Sequence, residues 1–254
     1  MSGTLPTVRG NVQALCPITR TISFHTDVAI HADFTEERRK KAIPLTSFVL
    51  PYTRINATET AAMRAFFESQ KGPFDTTWSF TLGSITYSHL TFTDDSFSMR
   101  EDYDTPTLYS FTLHAKQTQN PGQASGSAGA NFPTLTGGVK AQLPYTQLRR
   151  FAVLLNDGGV GQRYSYTWFA GGLTGYPTRS LRGWELAFPV LTDADLSTLE
   201  THFRNNWGQF SQFQFTDPDD AAVYPKCRYG SDVLEITHQA SGVASLTLRI
   251  METN

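Results

Sequence analysis

Six histidines, two cysteines and one cluster of carboxylates are the residues of this chain best suited to chemistry. The histidines (His25, His31, His89, His114, His202 and His238) are scattered. None stands at zinc-ligand spacing from Cys, Asp or Glu, and His202 has no H-E-x-x-H partner in its helical stretch. His25 and His31 are evenly spaced and share a strand face, which reads as structural. Asp217-Pro218-Asp219-Asp220 is the best cation candidate, because clustered carboxylates suit calcium, but it lacks the alternating ligands and distal glutamate of a calcium loop. As a tight turn it needs only Asp217 bonded back to the backbone and Pro218 fixing φ. Gly158-Gly159-Val160-Gly161 has neither the lysine-serine ending nor the following helix of a phosphate loop, and reads as a hairpin tip. Ser125 and Ser127 lack a nucleophile-elbow setting. Tyr164, Tyr166, Trp168 and Trp207 have the chemistry to stack on sugar rings. Alternating aromatics usually face a core, which leaves Trp207 as the one with reason to stay exposed. Cys16 and Cys227 read as two free, part-buried thiols, one long-range disulfide being the alternative. The expectation is a protein without catalytic, metal or cofactor residues, and not an enzyme.

The elements that position these residues centre on the stretch from Trp184 to Pro218, which reads as strand, capped helix, stop, aromatic strand and acidic turn. A gapless counterpart runs from Phe48 to Phe74 at a constant offset of 208 − 72 = 136, which aligns Gly208 with Gly72. The same offset pairs Trp184 with Phe48, Phe203 with Phe67 and Phe210 with Phe74. In the second copy Thr192 takes the N-cap place with Asp195 at N3, a capping-box arrangement; Asn56 and Glu59 take those places in the first. Apolar residues then recur at helical spacing, at Leu196, Leu199 and Phe203 and at Met63, Phe66 and Phe67. Each helix is expected to stop at its glycine, which takes a left-handed conformation without penalty. Alternating aromatics follow, Phe210, Phe213 and Phe215 in one copy and Phe74, Trp78 and Phe80 in the other. The pattern predicts a duplicated domain.

Length and composition agree with two domains. The 254 residues carry 39% hydrophobic and 17% charged residues, and 13% aromatics among abundant Gly, Thr and Ser favour β structure. A formal charge of −2 supplies no basic surplus for a general nucleic-acid or anionic-membrane binder. The run Glu36 to Lys41 reads as a solvated hairpin tip. No apolar run approaches the roughly 20 residues that span a bilayer, and the first residues lack a signal-peptide pattern, so no membrane insertion and synthesis in a cytoplasm are expected. The predicted organisation is an arm over 1–19, a mainly β domain over 20–116, a flexible Gly/Ser/Pro-rich linker over 117–142 and a second β domain over 143–254. Each domain is expected to be a β-sandwich or barrel with one flanking helix.

The string from Trp184 through Phe203, Gly208, Phe210 and Phe215 to Asp217-Pro218 resembles a family of distal-tail or minor tail proteins of long-tailed bacteriophages and gene-transfer agents. The likeness covers residues 180–250 and, through the repeat, 44–116. The first copy departs from it by carrying Leu82-Gly83-Ser84 at the Asp-Pro turn, and the usual single domain is doubled here. The resemblance implies tail-tube-like domains in a ring around a DNA channel, either a trimer with pseudo-six-fold symmetry or a hexamer. It also implies contacts to the tail tube and to tail tip, hub or baseplate proteins, no specific DNA binding, and a place in the virion of a phage made in a bacterial cytoplasm. The arm 1–19 and the stretch 34–43 are expected to reach neighbours. The alternative reading is a carbohydrate-binding or adhesin module of a tail.

Overall fold

Two helices of equal length form where the caps are written. In the computed structural model, α1 spans Ala57–Ser69 and α2 spans Asp193–Asn205, each end of α2 matching α1 at the same constant offset. Asn56 accepts from the Glu59 amide at 2.9 Å, and the Glu59 carboxylate accepts from the Asn56 amide at 3.4 Å, a reciprocal capping box. Thr192 Oγ1 accepts from the Asp195 amide at 3.2 Å and donates to the Asp195 carboxylate at 2.7 Å. The second cap thus commits Asp195 to the threonine hydroxyl, a bond that asparagine at the first cap has no hydroxyl to make.

The structure describes residues 3–30, 36–70, 76–118, 128–135, 146–156, 162–165, 179–217 and 221–253. Around the helices run β1 (Gly3–Thr4), β2 (Ile18–Ile30), β3 (Glu36–Asn56), β4 (Trp78–Leu82), β5 (Ile85–Phe92), β6 (Met99–Asp102), β7 (Thr105–Gln117), β8 (Thr146–Asn156), β9 (Gln162–Ser165), β10 (Arg179–Leu191), β11 (Phe213–Thr216), β12 (Val223–Tyr229), β13 (Val233–Ala240) and β14 (Val243–Glu252). The fold is mainly β. Its strands form one large mixed sheet in the order β1-β4-β5-β7-β3-β2-β13-β14-β10-β8-β9, with β6 on β7, and β12 joining β11 to β14. Only β1 with β4 is parallel among the described pairs. The expectation of separate sandwiches meets a sheet that is hydrogen-bonded throughout, because β13 pairs with β2.

The pairing registers recur between the two parts of the chain. Phe48, Leu50 and Tyr52 of β3 lie opposite Ala115, Leu113 and Phe111 of β7; Trp184, Leu186 and Phe188 of β10 lie opposite Ile250, Leu248 and Leu246 of β14. Irregularities fall between Tyr52 and Ile55 and between Phe188 and Leu191, again at the same offset. Trp78 and Phe80 face Leu90 and Tyr87, as Phe213 and Phe215 face Cys227 and Tyr224. Met99 of β6 faces Phe111, as Ile236 of β13 faces Leu246. Thr19 and Arg20 of β2 face Val49 and Phe48, as Thr146 and Gln147 of β8 face Glu185 and Trp184.

Buried side chains gather into two clusters. One holds Phe48, Leu50, Tyr52, Met63, Phe67, Trp78, Phe80 and Phe92, the other Trp184, Leu186, Phe188, Leu199, Phe203, Phe213, Phe215 and Tyr229. Burying each Leu or Phe of this kind stabilises by roughly 1.5–3 kcal/mol.

The arm expected to reach neighbours and the linker expected to be flexible both dock on the chain itself where they are described. Within the arm expected over 1–19, the amides of Gly3 and Leu5 donate to Thr77 and Ser79, and Leu5, Val8 and Ala14 are buried in the first cluster. Within the linker expected over 117–142, the Phe132 amide donates to the Gln214 carbonyl and Leu135 is buried in the second cluster. The first segment bonds along β4 and the second to Gln214 of β11, and each adds apolar side chains to a core, Leu5 and Val8 to the first and Phe132 and Leu135 to the second. Two apolar anchors outweigh a polar composition.

Candidate functional site

The residues with unusual environments converge where β2 meets β13. Arg20 lies on β2 between Ile18, which enters the first cluster, and Ile22 and Phe24, which enter the second. That alternation buries the guanidinium as well: Arg20 is 6% exposed. Its Nη2 donates to Glu200 Oε2 of α2 at 2.5 Å, and its guanidinium stands 5.4 Å from the Tyr87 ring centre. Glu200 also holds Arg204 at 3.4 Å, one helical turn on. A buried charge requires such a partner, because leaving one uncompensated costs several kcal/mol. Arg20, Tyr87, Asp193, Glu200 and Arg204 line a cleft with a volume of 420 Å³.

His238 sits on β13 directly opposite Ile18 and is 2% exposed. Its Nε2 has no hydrogen-bond partner among the described residues. Burial, reinforced by the Arg20 cation and opposed by Asp193 and Glu200, pulls its pKa down to about 4. The imidazole is therefore neutral at pH 7. Burial also raises the pKa of Tyr87.

Farther along β2, Asp232 acts as a clamp. Its carboxylate accepts from the Thr26 amide at 2.6 Å and the Gln209 amide at 3.0 Å, and its carbonyl accepts from the Phe24 amide at 2.9 Å. The α2 terminus is shaped to meet it. Trp207 donates to the Arg204 carbonyl and Gly208 to the Phe203 carbonyl, both at 3.1 Å, which is a Schellman closure. Trp207 as well as Gly208 is left-handed, with φ of 54° and 59°. The stop expected at the glycine alone thus begins one residue earlier. A Cβ at Gly208 would lie 2.6 Å from Asp232 Oδ1 and 3.1 Å from its Cα, so close approach as well as φ requires glycine there.

The sequence-predicted residues are placed as follows. Trp184 is fully buried, and its indole donates to Asp217 Oδ2 at 2.8 Å. Asp217 therefore serves a buried indole as well as its turn, where its amide donates to the Ala222 carbonyl. The corresponding residues in the first part are Phe48 and Leu82, with no N–H to satisfy. Phe215 packs on Trp184 at 4.9 Å, and Phe203 packs on Phe24 at 5.6 Å. Phe67 is 4.8 Å from Phe92. Trp207 is half-buried 5.1 Å from Phe24, with Lys40 Nζ 4.5 Å above it and 4.8 Å from the Phe210 ring. Lys40 belongs to the run read as a hairpin tip, whose residues from Glu36 lie in β3. Tyr164 falls in β9, opposite Leu154. Gly72, Phe74, Tyr166, Trp168, Pro218, Asp219 and Asp220 lie outside the described residues, as do His31, Gly158 to Gly161, Ser125 and Ser127.

The fingerprint residues that fall among the described ones thus build cores, caps and a turn. The junction residues Arg20, Glu200, Asp232 and His238 were not singled out by spacing. The one available signal was Arg20 itself, a charge on the apolar face that Ile22 and Phe24 mark. Cys16 and Cys227 are both free thiols, and burial raises the pKa of each, that of Cys227 to about 12. Among the described residues no group of three or more His, Cys, Asp or Glu is placed to hold a metal ion. Against known protein families and curated proteins the chain matches none.

Proposed function

We propose that the chain is a non-catalytic structural protein of a long-tailed phage virion, built from two tandem tail-tube-like units. It forms a ring around the DNA channel at the distal end of the tail and connects the tube to tip, hub or baseplate proteins. The observation that carries the reading is the recurrence of strand registers, helix positions and strand irregularities between the two parts, with β2 and β13 joining them edge to edge. Two like units joined side by side would make a segment of such a ring. Three such chains supply six units; six chains give a ring in which one unit of each closes the circle and the other decorates it. The resemblance of the Trp184 to Asp217 string to tail proteins supplies the setting. The absence of a net basic charge suits a wall that DNA passes without being held. Light scattering with negative-stain imaging tests the reading: rings of three or six subunits with a central hole are expected. A species that stays monomeric at all concentrations, alone and with a tail tube protein, refutes it.

A further inference from the structure

Resting on the ring reading, the strand registers name the surfaces by which one chain meets the next. The β2·β13 pair runs from Val233 opposite Ser23 to His238 opposite Ile18. In the register correspondence β13 matches β6, since 236 − 99 = 137, and β2 matches β8, since 147 − 20 = 127. The pair that closes the sheet within the chain therefore has a counterpart whose two strands, among the described residues, each have one partner there. Among the described residues β6 pairs with β7 alone. Over Thr146–Gln147, β10 is the partner of β8 among the described residues, and the contact of β8 with β9 starts at Val153.

We propose that the open edge of β6 in one chain adds antiparallel to the open edge of β8 in a second copy, with Met99 opposite Gln147. That register follows from Ile236 opposite Arg20. The contact is heterologous, β6 to β8 and never β6 to β6, so each chain offers one edge and receives the other. Repetition of it closes a ring or runs on as a filament. Two exposed side chains mark the β6 edge as unfinished. Met99 is 46% exposed, and Tyr103, at the tip of the β6–β7 turn, is 92% exposed. In the pair within the chain, the matching turn at Ser241 is seated against Gly83 of the β4–β5 turn, with Ser241 Oγ 2.5 Å from where a Gly83 Cβ would stand. Arg100, Glu101 and Asp102 on β6 deter indiscriminate pairing of this edge, leaving selection to the matching strand.

The test is oxidative cross-linking between two full-length variants in a Cys16→Ser background, Met99→Cys and Gln147→Cys. Directly opposed residues of an antiparallel pair have Cα atoms about 4.5–5.5 Å apart, within disulfide range. The mixture is expected to give a covalent dimer in majority yield, either variant alone to give at least tenfold less, and the double variant to give a ladder ending at the ring's subunit number. Circular dichroism on each variant verifies folding. Cross-linking of Met99→Cys with itself overturns the proposal in favour of a two-fold contact. Rings by light scattering without the mixed cross-link overturn the edge pairing and leave the ring reading intact. A monomer without the cross-link removes both.

Discussion

Acidification is expected to loosen the junction through His238. The folded protein holds this imidazole at a pKa of about 4, against 6.5 for an ordinary histidine. Below pH 6.5 the unfolded chain takes up a proton that the folded chain refuses, so the stabilisation is complete above 6.5 and fades as pH falls toward 4. At about 1.36 kcal/mol per pH unit the full loss is roughly 3 kcal/mol, and roughly 2 kcal/mol of it is reached at pH 5. Arg20, Asp193 and Glu200 are the charged groups facing it, and His202, whose pKa burial also lowers, contributes with the same sign. Urea unfolding of wild type and His238→Gln at pH 7 and pH 5 isolates the one group. By the same linkage the wild type is expected to lose about 2 kcal/mol more than the variant over that interval. Equal losses in the two proteins would show that His238 is not held neutral by its surroundings.

Two substitutions test how the second core is fastened. Asp217→Leu leaves the Trp184 indole N–H buried without its acceptor, at a cost of about 1–3 kcal/mol. Adding Trp184→Phe recreates the Phe48 and Leu82 pair of the first part and is expected to recover at least half of that loss. A double-mutant cycle in urea with no coupling refutes the assignment. Gly208→Ala places a methyl against Asp232 at a left-handed position and is expected to cost about 2 kcal/mol or more, with the denaturation midpoint as readout. An unchanged midpoint would mean that the Asp232 clamp yields freely.

What the chain's pattern discloses is what local chemistry encodes. The helix at 57–69 was legible because Asn56 and Glu59 write both halves of a capping box, and the constant offset to Thr192 and Asp195 made the second helix legible with it. The strand aromatics were legible as core because Phe213 and Phe215 alternate. The joining of the two parts was not, since a hydrogen bond from β2 to β13 leaves no trace in either strand's periodicity and links positions near opposite ends of the chain. The docking of Leu5 and Phe132 was hidden for another reason: a two-residue anchor is too short to produce a period. Trp207 at a left-handed position escaped as well, because local rules reserve that place for glycine and only Phe24 and Lys40 explain the choice.

The proposed contact between chains would differ from the junction within the chain in a way that fits a separate task. Within the chain, Arg20 and Glu200 bury an ion pair that is tolerable only while both partners stay together, as covalent continuity ensures. The strand correspondence carries Arg20 to Gln147, and the helix offset carries Glu200 to Arg64. Arg64 lies on the open face of α1, paired with Glu68 at 2.9 Å and 59% exposed in its side chain. A surface whose partner arrives from another molecule has to be soluble before it is covered. The solvated Arg64 meets that condition, whereas a lone Arg20 or Glu200 would have to shed water on each encounter. The asymmetry predicts that salt acts differently on the two contacts. The buried Arg20–Glu200 pair is little screened, so chain stability changes little between low salt and about 0.5 M, whereas association through an exposed edge bearing Arg100, Glu101 and Asp102 shifts measurably. Urea midpoints and sedimentation velocity over the same salt series separate the two, and a parallel response of both would refute the distinction.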